Sequence, residues 1–294
     1  MGFIIGSFNI QDFTGDGLYK KYGTPDGVTP TSRDINKIAD MIESADFDIV
    51  ALQEVRDYRA VELLKMSLGN SRWMSSCSYE TTKPCDHSKL GEPEFAFLWK
   101  ANTMSLCRDI YDEPILPVFI EDYRGDFKRL PYYGRFTPRT SPKTEIRLIN
   151  VHLKSGQSKQ TKEEFALLSS AVYRRLSTER PGTNMDVYTF ILGDYNLLSS
   201  YCNVCENVSP DLYLTNTKQT MPTHIKKDKE TGVIDYSNND LDHFGYDENN
   251  KQFIGRTVDV IRCDVPYNDF GKYKTNISDH VPIKLELNIN PRRL

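Results

Sequence analysis

Residues 188–196, with the sequence Tyr-Thr-Phe-Ile-Leu-Gly-Asp-Tyr-Asn, constrain the fold of this chain more than any other stretch. The first five are aromatic, β-branched or aliphatic, which is typical of a strand buried on both faces. The run ends at Gly193, and two polar side chains follow it two residues apart, Asp194 and Asn196. Residues at this spacing on an extended backbone point to the same side. The stretch predicts a buried strand that ends in a carboxylate and an amide, although these residues would also suit a plain turn.

Length and composition favour one globular domain. The chain has 294 residues, of which 38% are hydrophobic and 27% charged, as in an ordinary soluble protein. No linker of biased composition divides it, so we expect a single domain over residues 1–294. No apolar run approaches the ~20 residues of a membrane span, and no signal peptide is evident. We therefore expect a cytoplasmic monomer, or a secreted protein whose leader has been removed.

Charge and cysteine content argue against two classes of protein. The net charge of −4 argues against a protein that coats nucleic acid, but it is compatible with an enzyme that has a locally basic groove. The six cysteines do not make a disulfide scaffold and lack the spacing of a zinc site. Two pairs, Cys77 with Cys85 and Cys202 with Cys205, could each form a disulfide, and the sequence leaves both possibilities open.

Hydrophobic periodicity predicts the same order of elements in both halves of the chain. The first half opens with a strand at 3–10, a helix beginning at Thr31 and Ser32, and a strand at 48–52. The second half repeats this order with a strand at 145–153, a helix at 159–176 and the strand at 188–192. Further strands are predicted at 73–79, 95–99, 104–110, 132–137, 241–246, 257–262 and 281–287, with a long loop at 201–239. The pattern favours one α/β domain in which two packed sheets are flanked by helices.

Polar side chains stand at the ends of the predicted buried strands, and each could be a cap or a turn residue if taken alone. They are Asn9, Glu54, His152, Asp194, Asn196, Asp242, Asp279 and His280. Ligand sites of α/β proteins lie where strand ends meet, so we expect these side chains to converge in one pocket. Their placement on so many separate strands favours a common site over chance.

The donor types of this pocket indicate a hard metal ion. Carboxylate and amide oxygens suit Mg²⁺, with Mn²⁺ or Ca²⁺ as alternatives, whereas zinc would call for cysteines or closely spaced histidines. The two histidines are then left for proton transfer or for contacts with phosphate oxygens. A metal ion, a histidine and a carboxylate that positions a water molecule are what hydrolysis of a phosphoester requires.

Six short motifs, in sequence order, resemble those of the endonuclease/exonuclease/phosphatase superfamily, and its deoxyribonuclease I-like branch is the most similar. They are Ser-Phe-Asn-Ile, Asp-Ile-Val-Ala-Leu-Gln-Glu-Val-Arg-Asp, Asn-Val-His-Leu-Lys-Ser, Leu-Gly-Asp-Tyr-Asn, Leu-Asp-His-Phe and Ser-Asp-His-Val-Pro. The resemblance covers residues 8–283. It implies a four-layer α/β sandwich, in which two packed mixed β-sheets are flanked by helices, and divalent-metal-dependent hydrolysis of phosphodiesters.

The resemblance also implies roles for the strand-end residues. Asn9 and Glu54 would belong to the metal site, and Asp279 would be a metal ligand or its electrostatic partner. Asp194 and Asn196 would orient the attacking water and the phosphate.

Two histidines would serve in acid/base chemistry and phosphate binding. His280 would pair with Asp242, and we expect a hydrogen bond between them that raises the pKa of the histidine. His152 would pair with a glutamate. The family's position falls between Glu92 and Glu94, and a one-residue bulge would let either serve.

A basic segment suggests how a polymeric substrate could be held. Arg129 resembles the family's phosphate-contacting arginine, although it could equally be a solvated surface charge. Seven basic residues lie between positions 124 and 147, interleaved with tyrosines: Arg124, Lys128, Arg129, Arg135, Arg139, Lys143 and Arg147, with Tyr123, Tyr132 and Tyr133. We predict that they contact a nucleic-acid backbone and that the rings stack on bases, the alternative being a mixed edge-strand face.

Departures from two related branches favour a nuclease. Inositol-phosphate phosphatases carry Asp-Arg where this chain has Asp242 and His243, and an arginine where it has Leu198. Abasic-site repair enzymes carry an aspartate where this chain has Gln11. We therefore expect an endonuclease that hydrolyses DNA rather than RNA. The alternatives are a phosphatase or phosphodiesterase acting on a small or lipid phosphoester, and a catalytically inactive binding module on the same fold.

Overall fold

Two mixed β-sheets and the helices that flank them make up the structure, a computed structural model of the chain. It describes residues 2–14, 33–56, 58–78, 94–141, 143–179, 186–202, 213–215, 222–247, 253–262 and 269–289. Within these ranges, no helix is long and apolar enough to cross a membrane.

The strands fall into two large sheets and one hairpin. In chain order they are β1 (Gly2–Phe13), β2 (Ile49–Val55), β3 (Trp73–Cys77), β4 (Glu94–Lys100), β5 (Met104–Leu106), β6 (Val118–Phe119), β7 (Tyr132–Pro138), β8 (Thr144–His152), β9 (Asp186–Asp194), β10 (Tyr213–Thr215), β11 (Ile225–Lys227), β12 (Ile234–Tyr236), β13 (Asp242–Tyr246), β14 (Phe253–Val260) and β15 (Ile283–Ile289). The first sheet has the order β14-β15-β1-β2-β4-β3. The second has the order β10-β13-β9-β8-β7-β5, with β6 also paired to β7. The hairpin is formed by β11 and β12.

Each sheet is built around a central parallel pair, β1 with β2 and β8 with β9, and antiparallel strands extend it on both sides. Parallel neighbours need a crossover connection, which helices supply here. The helices are α1 (Ile35–Ser44), α2 (Tyr58–Ser67), α3 (Lys159–Leu167), α4 (Tyr173–Thr178), α5 (Ser199–Cys202) and α6 (Phe270–Asn276). Helix α1 connects β1 to β2, while α3 and α4, joined by a π-helical turn at Leu168–Val172, connect β8 to β9.

Three apolar layers hold these elements together. Side chains such as Phe97, Phe136 and Phe190 fill the space between the two sheets. The outer face of the first sheet packs against α1 and α2 in a cluster that includes Ile38. The outer face of the second packs against α3 and α4 in a cluster that includes Phe165. The predicted four-layer α/β sandwich is confirmed.

Several predicted boundaries differ from the structure for local reasons. Helix α1 begins after Asp34, whose carboxylate accepts a hydrogen bond from the Lys37 amide, and the predicted start at 31–32 lies outside the described residues. The strand predicted at 104–110 ends at Leu106. The chain then turns at Asp109, whose side chain accepts bonds from the amides of residues 111 and 113. The predicted loop at 201–239 contains β10, β11 and β12, each of three residues and too short to give a periodic signal.

Gly193 allows β8 and β9 to come close together just before the strands end. It lies opposite Val151 in the parallel ladder, with a φ of 142°. A Cβ atom at this position would stand 2.0 Å from the carbonyl oxygen of Val151. Any other residue would therefore push the two central strands of the second sheet apart.

A buried ion cluster lies on the outer face of the second sheet. Glu145 accepts a hydrogen bond from Arg147 at 2.6 Å and two from Arg135, at 2.7 and 3.1 Å. The side chains of Glu145 and Arg147 are 1% and 0% exposed. Burial opposes ionisation of Glu145, but the two guanidinium groups outweigh it and lower its pKa.

We expect Glu145→Gln to destabilise the protein by about 3 kcal/mol, because it leaves the buried guanidinium group of Arg147 and the partly buried one of Arg135 without their anion. Urea unfolding would measure this. Glu163→Gln is the matched control, since the Glu163 carboxylate is 62% exposed and its removal should change stability by less than about 0.5 kcal/mol.

The pKa of Glu145 is lower in the folded state than in the unfolded state. Its contribution to the free energy of unfolding should therefore be complete above its unfolded pKa of about 4.3 and be lost as the pH falls through the folded value. Equal losses in both variants would contradict this account.

Candidate active site

Six of the predicted strand-end residues line one cleft of about 410 Å³, and the other two, Asn9 and Asp242, lie behind it and are bonded to members of the lining. The cleft lies where β1, β2, β8 and β9 end and where the chain enters β13 and β15. Its lining consists of Gln11, Asp12, Glu54, Arg56, Lys128, Arg129, His152, Ser155, Asp194, Asn196, His224, Leu241, Asp279 and His280. A larger cleft of about 810 Å³ lies at the opposite end of the first sheet, beside Gly2 and Lys100, and contains none of the predicted site residues.

Asn9 lies behind the cleft lining and is fully buried. Its Nδ2 donates to Glu54 Oε1 at 3.2 Å and to Asp194 Oδ2 at 3.0 Å. Its Oδ1 accepts a bond from the backbone amide of Gln11 at 3.0 Å. One side chain therefore connects the end of β1 to both neighbouring carboxylates, which belong to different sheets.

The backbone around the cleft adopts left-handed conformations that side chains seldom accept. Gln11, Asp12, Glu54 and Asn196 have φ angles of 35°, 53°, 59° and 50°. Such residues cost about 1–3 kcal/mol each unless local bonds compensate, and they concentrate at functional sites. Here the Asp12 amide donates to Glu54 Oε2 at 3.0 Å, and the Asn196 amide donates to Asp194 Oδ1 at 2.8 Å. The turns thus orient the carboxylates.

The predicted hydrogen bond between Asp242 and His280 is confirmed. His280 Nδ1 lies 2.7 Å from Asp242 Oδ2, and both side chains are buried. The ring's other nitrogen, Nε2, faces Asp194 Oδ2 at 3.7 Å. Burial opposes the imidazolium, but the carboxylates of Asp242, Asp194 and Asp279 outweigh it and raise the pKa of His280 to about 10.

Asp194 lies between the two histidines. Its Oδ2 is 3.6 Å from His152 Nε2 as well as 3.7 Å from His280 Nε2. Burial raises the pKa of Asp194, and the Asp242 carboxylate raises it further, while His280 opposes both. The carboxylate of Asp194 is thus a stronger base than an ordinary aspartate.

His152 lacks part of its expected environment. Its Nδ1 is buried and accepts or donates no hydrogen bond within the described ranges. Burial, with the nearby Arg129 guanidinium, lowers the pKa of His152 well below its ordinary value. Glu92 lies outside the described residues, and Glu94 is described only as the first residue of β4, paired with Val55. The predicted glutamate partner therefore stays a prediction; the register shift of this strand pair falls in β2, next to Glu54.

The acidic end of the cleft fits a hard divalent cation. Burial raises the pKa of Glu54, and the nearby carboxylate of Asp12 raises it further, so this group carries a negative charge that its surroundings do not fully compensate. The available donors are carboxylate and amide oxygens, which suit Mg²⁺. Glu54 and Asn9 are the residues that could hold such an ion, whereas the Asp12 carboxylate is already paired with Arg56 at 2.6 Å.

The Asp279 carboxylate is paired with neighbours that the sequence analysis missed. Its Oδ2 accepts bonds from Gln11 Nε2 at 2.9 Å and Lys274 Nζ at 3.2 Å, and His224 Nε2 is 3.7 Å away. Burial works against ionisation, but His224, His280 and Lys274 lower the pKa of Asp279. Of the two roles predicted for Asp279, metal ligand and electrostatic partner, the arrangement favours electrostatic partner. Ligand atoms of His224, Asp279 and His280 also lie within 4.8 Å of one another, but the raised pKa of His280 and the ammonium group of Lys274 disfavour a cation there.

The predicted basic surface is wrong in part. Arg135 and Arg147 are paired with Glu145, and Arg147 is buried beneath α4. Tyr132 and Tyr133 are buried as well, so Arg147 and the two tyrosines are not available to a substrate. Arg129 does line the cleft, where its NH1 donates to the carbonyl oxygens of residues 152 and 153, each at 3.3 Å.

Other residues singled out in the sequence lie away from the cleft or outside the description. His243 is buried, and its Nε2 bonds the carbonyl oxygen of Leu197 at 2.8 Å. Cys85 and Cys205 lie outside the described residues, so neither predicted cysteine pair is tested.

We expect Asp242→Asn to lower the pKa of His280 by about 1–3 pH units, because the nearest opposite charge is lost while the shape is kept. Titration of the ring followed by NMR would measure this. Asp240→Asn is the control: that carboxylate faces the Ser199 amide at 3.3 Å, so the titration of His280 should barely change. An unchanged His280 pKa in Asp242→Asn would refute the pairing.

Comparison with protein-family models and with curated proteins gives no match. Solved structures do match. One is an endonuclease/exonuclease/phosphatase family protein from Bacteroides thetaiotaomicron, with 15% identity, a TM-score of 0.62, and coverage of 99% of this chain and 98% of that chain. Another is a mannosyl-6-phosphatase from the same organism, with 16% identity, a TM-score of 0.61, and coverage of 98% and 100%.

A third similar structure is D. rerio TDP2 complexed with single-strand DNA product, with 14% identity, a TM-score of 0.56, and coverage of 98% of this chain and 99% of that chain. At these identities the likeness shows the fold. The resemblance seen in the motifs is confirmed at that level: the chain has the fold of endonuclease/exonuclease/phosphatase family proteins.

Proposed function

We propose that this protein is a divalent-metal-dependent phosphoester hydrolase, and that its substrate is a phosphodiester of DNA. The observation that carries the proposal is the convergence, in one cleft, of a buried carboxylate–histidine pair, a second histidine and an oxygen-rich acidic end. This set would supply what in-line attack of water on phosphorus needs: a base, ligands for a cation, and donors for the phosphate oxygens.

Glu54 would hold the metal ion, with Asn9 positioning it and Asp279 contributing charge. The ion would neutralise negative charge on the phosphate oxygens. Glu54 suits this role because its carboxylate is 18% exposed, and so can reach the cleft, while Asn9 fixes its orientation.

Asp194 would accept the proton of the attacking water, with Asn196 at its side. Burial makes Asp194 a stronger base, and the Asn196 amide holds its other oxygen in place. The imidazolium of His280, kept charged by Asp242, would stabilise the additional negative charge that develops on the phosphate. His152 and Arg129 would contact the remaining phosphate oxygens.

DNA as the substrate is supported by the likeness to TDP2 in its complex with single-strand DNA product, and by the three basic side chains Arg56, Lys128 and Arg129 in the cleft lining. A small phosphoester is the second candidate. It is favoured by the pairing of Arg135 and Arg147 with Glu145, which shortens the basic surface, and by the likeness to a mannosyl-6-phosphatase. An inactive binding module is disfavoured, because Asn9, Glu54, Asp194 and both histidines stand together.

We expect hydrolysis to require Mg²⁺ or Mn²⁺, and Glu54→Gln to lower kcat by at least about 100-fold, because charge stabilisation by a metal ion is worth several kcal/mol. The same variant should still fold, although glutamine keeps only one of the two acceptor oxygens that bind Asn9 and the Asp12 amide. Thermal unfolding should show stabilisation of the wild type by Mg²⁺, but little in Glu54→Gln.

Glu163→Gln serves as the charge-matched control and should behave like the wild type in each measurement. Full turnover after exhaustive treatment with EDTA would contradict the proposal. So would Mg²⁺ stabilisation of equal size in wild type and Glu54→Gln.

We expect plasmid DNA to be cleaved and its binding to weaken with salt, with a log–log slope of about −2 to −3 if Arg56, Lys128 and Arg129 are the phosphate contacts. Arg129→Ala should weaken binding by about 1 kcal/mol or more, equally for all sequences. Phosphate release from sugar phosphates, measured in parallel, tests the second candidate. If DNA binding changes neither with salt nor in Arg129→Ala, and phosphate is released rapidly from small esters, a small phosphoester replaces DNA as the proposed substrate.

A further inference from the structure

A buried carboxylate behind the cleft connects the two loops that carry part of its lining. Glu164 lies on α3 and is 1% exposed. Its Oε1 accepts a bond from the backbone amide of Lys128 at 2.8 Å, and its Oε2 accepts one from the backbone amide of Lys154 at 2.8 Å. Gln160 Nε2 adds a third bond to Oε1 at 3.3 Å. Gln160 belongs to the same helix, but both backbone donors lie outside it.

The same helix face holds Lys154 by its other backbone group. Thr161, one turn before Glu164 and fully buried, donates its hydroxyl to the Lys154 carbonyl oxygen at 2.8 Å. The start of the helix is fixed by reciprocal bonds between Ser158 and Thr161. Residue 154 is therefore held at both its amide and its carbonyl by a rigid element.

These two loops carry the groups that would contact a phosphate. Lys128 and Arg129, together with His152 at the end of β8 and Ser155 just after it, all line the cleft. The Leu153 carbonyl oxygen, next to Lys154, accepts bonds from Arg129 NH1 at 3.3 Å and from Asn196 Nδ2 at 2.9 Å. The positions of Arg129 and Asn196 thus depend on where Glu164 places residues 128 and 154.

We propose that Glu164 is a positioning residue for phosphate binding: it sets the separation of the Arg129 loop from the end of β8, and through that the placement of Arg129 in the cleft. The inference rests on the proposed function for the identity of the bound group. A carboxylate is suited to this role because both of its oxygens accept bonds, and a charged acceptor strengthens each of them. Glutamine offers one acceptor oxygen and one donor group, so it must turn away one of the two amides.

The test compares Glu164→Gln with Glu163→Gln, the neighbouring exposed carboxylate, each in the wild-type and the Arg129→Ala backgrounds. The probe is inorganic phosphate, titrated calorimetrically in Mg²⁺ buffer against the full chain. We expect Glu164→Gln to weaken phosphate binding about 10-fold, as for loss of a charge-assisted contact, and Glu163→Gln to leave it unchanged. In the Arg129→Ala background, Glu164→Gln should cause little further loss, because the group that it positions is gone.

NMR of the backbone amides shows whether the substitution acts on the two loops alone, whereas the Arg129→Ala background separates positioning of Arg129 from a merely structural role. In Glu164→Gln the signals of residues 128, 129 and 154 should shift and their exchange with solvent should quicken, while amides in the core between the sheets stay unchanged. If Glu164→Gln does not fold, Thr161→Val replaces it, and we expect phosphate binding to weaken about threefold as one of the two bonds to residue 154 is lost.

Two outcomes overturn the inference: phosphate binding within about twofold of the wild type in every variant that folds, or an undiminished loss from Glu164→Gln in the Arg129→Ala background. Kinetics separate this failure from that of the proposed function. A wild type that hydrolyses phosphoesters and is insensitive to Glu164→Gln overturns the role of Glu164 alone. A wild type that binds phosphate through Arg129 and Glu164, but hydrolyses no phosphoester with any divalent metal, overturns only the proposed function.

Discussion

The amide of Asn9 joins the two sheets at the point where the candidate site lies. It donates to Glu54 at the end of β2 in the first sheet and to Asp194 at the end of β9 in the second. A second bridge runs from Gln53 Nε2 to Asn150 Oδ1 at 2.8 Å, again from one sheet to the other. Buried polar groups are costly when unpaired, so the sheets cannot slide past each other without breaking these contacts. The distance between the acidic end of the cleft and its histidines is therefore fixed by the core.

Electrostatic cost is concentrated at the same place. The carboxylates of Glu54, Asp194, Asp242 and Asp279 converge, and burial raises the pKa of the first two. The left-handed backbone at Gln11 and Glu54 adds strain. A fold must offset such costs elsewhere, and here three separate apolar clusters do so. The site is thus an unfavourable arrangement that the remaining layers hold in place.

Strand ends were predictable because their signal is local and repeated. An apolar run followed by a polar residue marks a strand that leaves the core, and parallel pairing then brings such residues together. The Asp242–His280 contact followed from motif resemblance, not from spacing. His224 and Lys274 could not be found in this way, because the path of residues 222–240 and the short helix α6 decide where they lie. The prediction of a basic surface at 124–147 was wrong in part because the charged residues were counted without regard to the face of the sheet on which each lies. Arg135, Glu145 and Arg147 share one face by strand alternation and register, and that face is covered by α4.

The close approach of β8 and β9 at Gly193 shows that the motif Leu-Gly-Asp-Tyr-Asn contains residues of two kinds, one needed for the fold and the others for the candidate site. Its aspartate and asparagine face the cleft, whereas its glycine is required by the close carbonyl oxygen of the neighbouring strand. A duplicated copy of this chain that had lost all chemistry would be free to change Asp194, yet it would still need glycine at 193 to keep its sheet closed. Within this motif, glycine at position 193 is therefore a requirement of the fold. Asp194 and Asn196 are requirements of the proposed chemistry.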